Sequence, residues 1–200
     1  MVCGSLSLVV LFAGMPVVPQ PTSDAVSPQL SLGQQLREDL TTHKGRWSTP
    51  GFQALAVHRF GTWALGLPAA ARKVTTLVYL AAHIFVRNVY GIELPREAFV
   101  GRRVLIGHQH GIVIVPLSEI GDDSVIRHNV TLGVASETGR YRAPKIGRGV
   151  SVSPGATILG GVRIGDGATI GPGAIVITNI AAGATVFPTP TRVVGGKGGN

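Results

Sequence analysis

Cysteine occurs once in 200 residues, at Cys3, so no intrachain disulfide can form and packing alone must hold the fold. Such a chain is expected in a reducing compartment, the cytoplasm. Charge is also scarce: 14% of residues are Asp, Glu, Lys or Arg, against about 25% in an ordinary domain. Aromatic residues make up 6% and are not interleaved with a basic run, so no nucleic-acid partner is expected. No Lys or Arg precedes Arg37, so the apolar stretch Leu6–Val18 lacks the basic flank of a secretory signal. It is also shorter than the ~20 residues that cross a bilayer. Residues 1–30 are therefore read as a disordered extension, or as lying upstream of the true start.

What the chain does have is glycine, 28 copies, with a hydrophobic fraction of 44%. That combination points to tightly turned β structure rather than a helical bundle. A net charge of +8 suits a phosphate-bearing ligand. Helical spacing is confined to residues 31–90. Leu32, Leu36 and Leu40 recur every four residues, and Thr49-Pro50 reads as a cap followed by proline at the first helical position. The uncharged run Val74–Val86 is too short for a bilayer and predicts a buried core helix between Lys73 and Val89.

From Val100 the period changes to six. Aliphatic residues fall at Val100, Ile106 and Ile112, then at Ile120, Ile126 and Leu132, and finally at Ile146, Val152, Ile158, Ile164, Ile170 and Val176. Glycine follows seven of them directly. Four residues after the aliphatic, a small or β-branched side chain is usual, as at Val104, Ser124, Val130, Val150, Ala156, Ala168 and Ala174. Fixed-period self-similarity marks a repeat solenoid, here one short strand and one turn per six residues. Two steps break the period. Ile112 to Ile120 carries two extra residues, and the segment 134–145 must loop out between Leu132 and Ile146. Loops thrown out of a rigid scaffold are where binding residues tend to sit.

The stretch GHQHGIVI (Gly107–Ile114) resembles the active-site strand of serine acetyltransferases, which belong to the hexapeptide-repeat acyltransferases. NVTLG (Asn129–Gly133), RAPKIG (Arg142–Gly147), the run Gly155–Val176 and PTPTRVVG (Pro188–Gly195) continue the likeness. Ser48–Leu65 resembles the end of that family's helical domain. Within the family, the likeness is greatest to the serine acetyltransferase-like proteins found with polysaccharide biosynthesis enzymes. The resemblance implies a left-handed parallel β-helix over residues 91–187 behind a small α-helical domain (31–90), with a C-terminal tail over 188–200. It implies acetyl transfer from acetyl-CoA to a hydroxyl: L-serine to O-acetyl-L-serine in cysteine biosynthesis, or alternatively a sugar hydroxyl in exopolysaccharide biosynthesis. A homotrimer is implied too.

That chemistry needs a base for the hydroxyl proton. Histidine, with an ordinary pKa near ~6.5, supplies one at neutral pH, and a carboxylate on its other nitrogen fixes the tautomer. The family's catalytic histidine falls on His108 and its carboxylate partner on Glu93, where an aspartate is usual. Two departures bear on the acceptor. The aspartate that precedes the catalytic histidine in the family is Gly107 here, and the Arg-His pair gripping the substrate carboxylate is Arg142-Ala143. Both losses should weaken L-serine binding. Gly133, Lys145, Gly155 and Gly173 fall on the stretches that hold the coenzyme, with Arg140, Arg142, Lys145, Arg148 and Arg192 supplying charge for its phosphates. Pro154 and Pro172, where alanine is common, remove amide donors. His110 and His128 are read as structural. Pooled with His108 they raise a remote alternative, a zinc site of the γ-carbonic anhydrase type, but their spacing does not match and no metal is expected. The tail Gly195–Asn200 has no apolar anchor, so no stable complex with the sulfhydrylase of cysteine synthesis is expected.

Overall fold

The computed structural model describes residues 30–135 and 141–189. The expectations for Arg140, Arg192, residues 1–29 and the tail from residue 190 lie outside them. Three helices come first. Ser31 caps α1 (Leu32–Thr42) in a box: its hydroxyl accepts from the Gln34 amide while the Gln34 side chain accepts from the Ser31 amide. Ser-x-x-Gln is a sequence signal for this start. α2 (Pro50–Leu65) begins with proline at its first position as expected, but the Thr49 hydroxyl donates to the Arg46 carbonyl instead of capping. α3 (Ala69–Tyr90) ends at Gly91, whose φ of 61° lies in the left-handed region.

α3 corrects one expectation. It is not a buried core helix: only Tyr79 and Val86 are buried, while Val74, Leu77, Val78, Ile84, Phe85 and Val89 are each 47% to 69% exposed. At 22 residues it is also longer than its uncharged run, because Arg72, Lys73 and Arg87 sit near its ends, and by length and composition it could cross a membrane. The exposure has a simple cause. α3 packs on α2 along one side and meets the first coil through Thr76 and Tyr79, which bond Arg96, and through its C-terminal end, so no other element among the described residues covers its outer face.

Fourteen short strands follow among the described residues: β1 (Ile92–Glu93), β2 (Phe99–Val100), β3 (Leu105–Gly107), β4 (Ile112–Ile114), β5 (Glu119–Ile120), β6 (Val125–Arg127), β7 (Thr131–Gly133), β8 (Lys145–Ile146), β9 (Ser151–Val152), β10 (Thr157–Leu159), β11 (Arg163–Ile164), β12 (Thr169–Ile170), β13 (Ile175–Val176) and β14 (Thr185–Val186). They form three parallel sheets. The first is ordered β1-β4-β7-β10-β13, the second β2-β5-β8-β11 and the third β3-β6-β9-β12-β14. The chain visits the sheets in turn, giving a β-solenoid of about four turns.

Register explains the six-residue step. Ile106, Ile126, Val152, Ile170 and Val186 stand opposite one another up the third sheet, and Val100, Ile120, Ile146 and Ile164 up the second. These columns point inward, and nearly all their members are buried. The small residues four positions on, from Val104 to Ala174, fill a second interior set. Buried Ser124 fits there because its hydroxyl donates to the Gly147 carbonyl and accepts from the Val150 amide.

The first sheet relocates the two-residue insertion. Ile114, not Ile112, stands opposite Leu132, and Ile112 stands opposite Ile92. Ile114 to Ile120 is then an ordinary step of six. The extra residues belong between Ile106 and Ile114, at the corner that carries His108.

α2 ties the helices to the first coil. Asp39 of α1 holds Arg59 of α2 at 2.9 Å, both buried, and the Arg59 guanidinium donates to the Val100 and Gly101 carbonyls at 2.5 and 2.6 Å. Gly51 abuts β3: a Cβ there would collide with the Ile106 carbonyl oxygen. His58 Nε2 donates to the Ala98 carbonyl at 3.0 Å, and burial, aided by the Arg59 charge, pushes its pKa down to about 3. Unfolding frees this imidazole to protonate near pH 6.5. Between about pH 3 and 6.5 the unfolded chain therefore holds the extra proton. The His58 contribution is full above that window and falls by up to about 1.4 kcal/mol per pH unit within it. Urea midpoints should decline from pH 7 to pH 5, and His58→Gln should flatten the decline. An unchanged slope in the variant would assign the acid sensitivity elsewhere.

Candidate active site

Each passage from the third sheet to the first turns a corner, and the strand register stacks these corners. Gly107 pairs with Arg127, which places His108 below His128, and the continuing register sets Pro154 and Pro172 above them. The lowest corner is the widened one. His108 has φ 73°, His110 φ 74° and Gly111 φ 70°. A non-glycine residue in the left-handed region costs about 1–2 kcal/mol, and two such histidines lie within three residues. Strain of this kind persists only where the surroundings enforce it. Here the His110 amide donates to the Tyr90 carbonyl at 2.8 Å, and the Asn129 amide donates to the His110 carbonyl at 3.0 Å.

His108 is exposed, and the edge of its ring meets the His128 ring, with centroids 5.8 Å apart and planes at 81°. Nδ1 of His128 is buried without a hydrogen-bond partner among the described residues. His110 turns away, packing over Gly91. Among the described residues, no group of three His, Cys, Asp or Glu side chains is placed to hold a metal.

The remaining site candidates fall into two groups. Glu93 lies on β1 opposite Val113, on the sheet into which the His108 corner leads, and is half-buried. No hydrogen bond joins it to His108 in this structure, although such bonds often tighten only when substrate is bound. Gly155 and Gly173 share the stacked corners with His128, with φ 74° and 69°. Their amides are already spent on the His128 and Pro154 carbonyls, so this edge offers a shallow surface of small residues rather than free donors.

Gly133, Arg142 and Lys145 stand at the other end of the first-sheet strands, around the loop. Gly133 is buried, with Leu159 against it. Arg142 is exposed, its stem lying over Gly161. Lys145 donates to Glu119 at 2.8 Å, which offsets its charge. The Arg148 amide and guanidinium engage Asp166, whose carboxyl is held below the usual range chiefly by that amide. One chain thus brings His108 together with Gly107, Gly155 and Gly173, and leaves Arg142, Lys145 and Gly133 on a separate corner. Sequence reasoning missed Arg127, whose guanidinium reaches back over Gly107. The twenty-residue offset that places His128 above His108 also places Arg127 above Gly107.

A parallel solenoid of six-residue steps is the architecture of a hexapeptide-repeat protein. The family model for bacterial transferase hexapeptide repeats matches residues 143–178. A probable serine acetyltransferase 1 from Oryza sativa subsp. japonica is 39% identical over 152 residues, 75% of this chain and 48% of that protein. The chain therefore spans about half the length of that relative. The solved soybean serine acetyltransferase apoenzyme superposes with a TM-score of 0.68 at 32% identity, over 82% of this chain and 69% of its own. The same enzyme complexed with serine superposes at 0.68 and 31%, over 82% and 70%. A Brucella abortus serine acetyltransferase in complex with coenzyme A shares the fold, with a TM-score of 0.68 at 24% identity over 83% of this chain and 68% of its own. The chain belongs to the serine acetyltransferase family. The expected closeness to its polysaccharide-associated branch is not borne out.

Proposed function

We propose that this chain is an acetyl-CoA-dependent O-acetyltransferase acting on L-serine. The observation that carries this reading is the corner itself: a strained, exposed imidazole at His108, beside a run of small residues and below His128, whose buried Nδ1 has no hydrogen-bond partner among the described residues. In the proposed reaction His108 takes the proton of the acceptor hydroxyl as that oxygen attacks the thioester carbonyl carbon. The carbon–sulfur bond then breaks, and the proton passes from the imidazolium to the departing sulfur. An acetyl ester and free coenzyme A thiol result. Glu93 stabilises the imidazolium once substrate draws the two together. Gly155 and Gly173 flank the pantetheine arm, and Arg142 and Lys145 supply charge for the phosphates, with Arg192 as the family resemblance implies.

The split of these residues over two corners supports a homotrimer, in which the loop of one copy completes the site at the His108 corner of the next. The single cysteine supports a cytoplasmic setting. The test is thiol release from acetyl-CoA by the purified chain with L-serine, homoserine and nucleotide sugars, with light scattering of the active fraction. L-serine-dependent release from a trimer is expected. Release only with a nucleotide sugar would replace the acceptor, and full activity in a monomer would remove the shared site.

A further inference from the structure

Gly107 stands one residue before His108 with space where a side chain would be. A Cβ built there would meet only the Ile126 carbonyl oxygen at 3.9 Å and Arg127 Nη1 at 4.0 Å. Among the described residues this guanidinium is the one charged group within 4 Å of that point, and the register brings its residue there, since Gly107 and Arg127 are paired on β3 and β6. Five other arginines hold carboxylates: Arg59 with Asp39, Arg96 with Glu97, Arg102 with Glu38, Arg103 with Asp123 and Arg148 with Asp166, all within 3.3 Å. Arg127 is exposed and engages no carboxylate among the described residues. Its neighbour in sequence, His128, meets the His108 ring and keeps Nδ1 buried without a partner.

We propose that Arg127 is the acceptor-binding residue of this site: across the space left by Gly107, its guanidinium holds the carboxylate of a small hydroxy acid beside His108. The proposal rests on the acetyl-transfer reading for what happens at the hydroxyl, but not for the binding of the anion. A planar guanidinium matches a carboxylate in two parallel hydrogen bonds and offers an ammonium nothing. The acceptor is therefore read through its acid group, and its amine is not required.

Three acceptors separate the groups. L-serine carries hydroxyl, amine and carboxylate; glycerate replaces the amine by a hydroxyl; serinol lacks the carboxylate. L-serine and glycerate should support thiol release from acetyl-CoA with kcat/KM within about threefold of each other, and serinol should fall at least ~10-fold below them. Arg127→Leu should raise KM for the two acids about ten- to hundredfold, leave kcat within about threefold and leave serinol unaffected. Gly107→Asp, which sets a carboxylate against the guanidinium, should impair the two acids in the same way. Glycerate tenfold or more below L-serine, or an unchanged KM in Arg127→Leu, would overturn the assignment. If no acceptor releases thiol, the acetyl-transfer reading fails by itself, and titration calorimetry with glycerate decides the binding claim. Heat of binding in the native chain that Arg127→Leu abolishes supports it; equal binding by both, or by neither, refutes it.

Discussion

Replacing His108 by alanine should lower kcat at least ~10²-fold while leaving the melting temperature close to that of the native chain, because the change removes the proposed base and little packing. The side chain is exposed and its only described ring contact is His128. The backbone complicates the alanine variant, since residue 108 sits at φ 73°. Asparagine tolerates this region better than most residues, so His108→Asn separates loss of the imidazole from a rearranged corner. Both variants should lose turnover alike. Glu93→Gln should be milder, because the proposed base remains and only the proposed electrostatic support is lost. Near-native turnover in His108→Asn would take His108 out of the mechanism.

Loss of Asp39 should cost the fold several kcal/mol. Its carboxylate is 1% exposed and the partner Arg59 side chain 8%, so removing the acid leaves a buried guanidinium without its counter-charge. Breaking such a pair from one side costs about 3–5 kcal/mol. The Val100 and Gly101 carbonyls still accept from Arg59 and set the lower end of that range. Asp39→Leu should shift the urea midpoint accordingly, and Asp39→Leu with Arg59→Met should recover most of the loss, as apolar replacement of buried pairs often does. A single variant as stable as the native chain would show that the pair does not hold the helices on the solenoid.

These two residues mark the limits of the sequence. His108 was legible only through the likeness of GHQHGIVI to the active-site strand of the family, since the repeat by itself gives no more than the fold. The interior columns were legible because aliphatics recur every six residues. The position of the insertion was not, because Ile112 and Ile114 are both apolar and either could have joined the column. Only the pairing of Ile114 with Leu132 decides it. Asp39 and Arg59 lie twenty residues apart on different helices, where no periodicity links them. Exposure of α3 was hidden too, since its apolar face reads the same whether or not another element covers it.

The family likeness carried the active-site candidates further than the repeat could, yet it also drew attention to residues that are missing. Ala143 and Gly107 read in isolation as a dismantled clamp. The structure shows Ala143 buried at 7% exposure and Gly107 open, with Arg127 over it. One departure is a filled position and the other a vacated one, a difference set by the coil above and not by the motif.

The central claim is that His108 directs an acetyl group from acetyl-CoA onto an acceptor hydroxyl. Its most direct measurement is mass spectrometry of L-serine incubated with isotopically labelled acetyl-CoA and the purified protein. Label should appear on the serine hydroxyl with the native chain and not above background with His108→Asn. Label recovered only as free acetate, or equal labelling by both proteins, would contradict it.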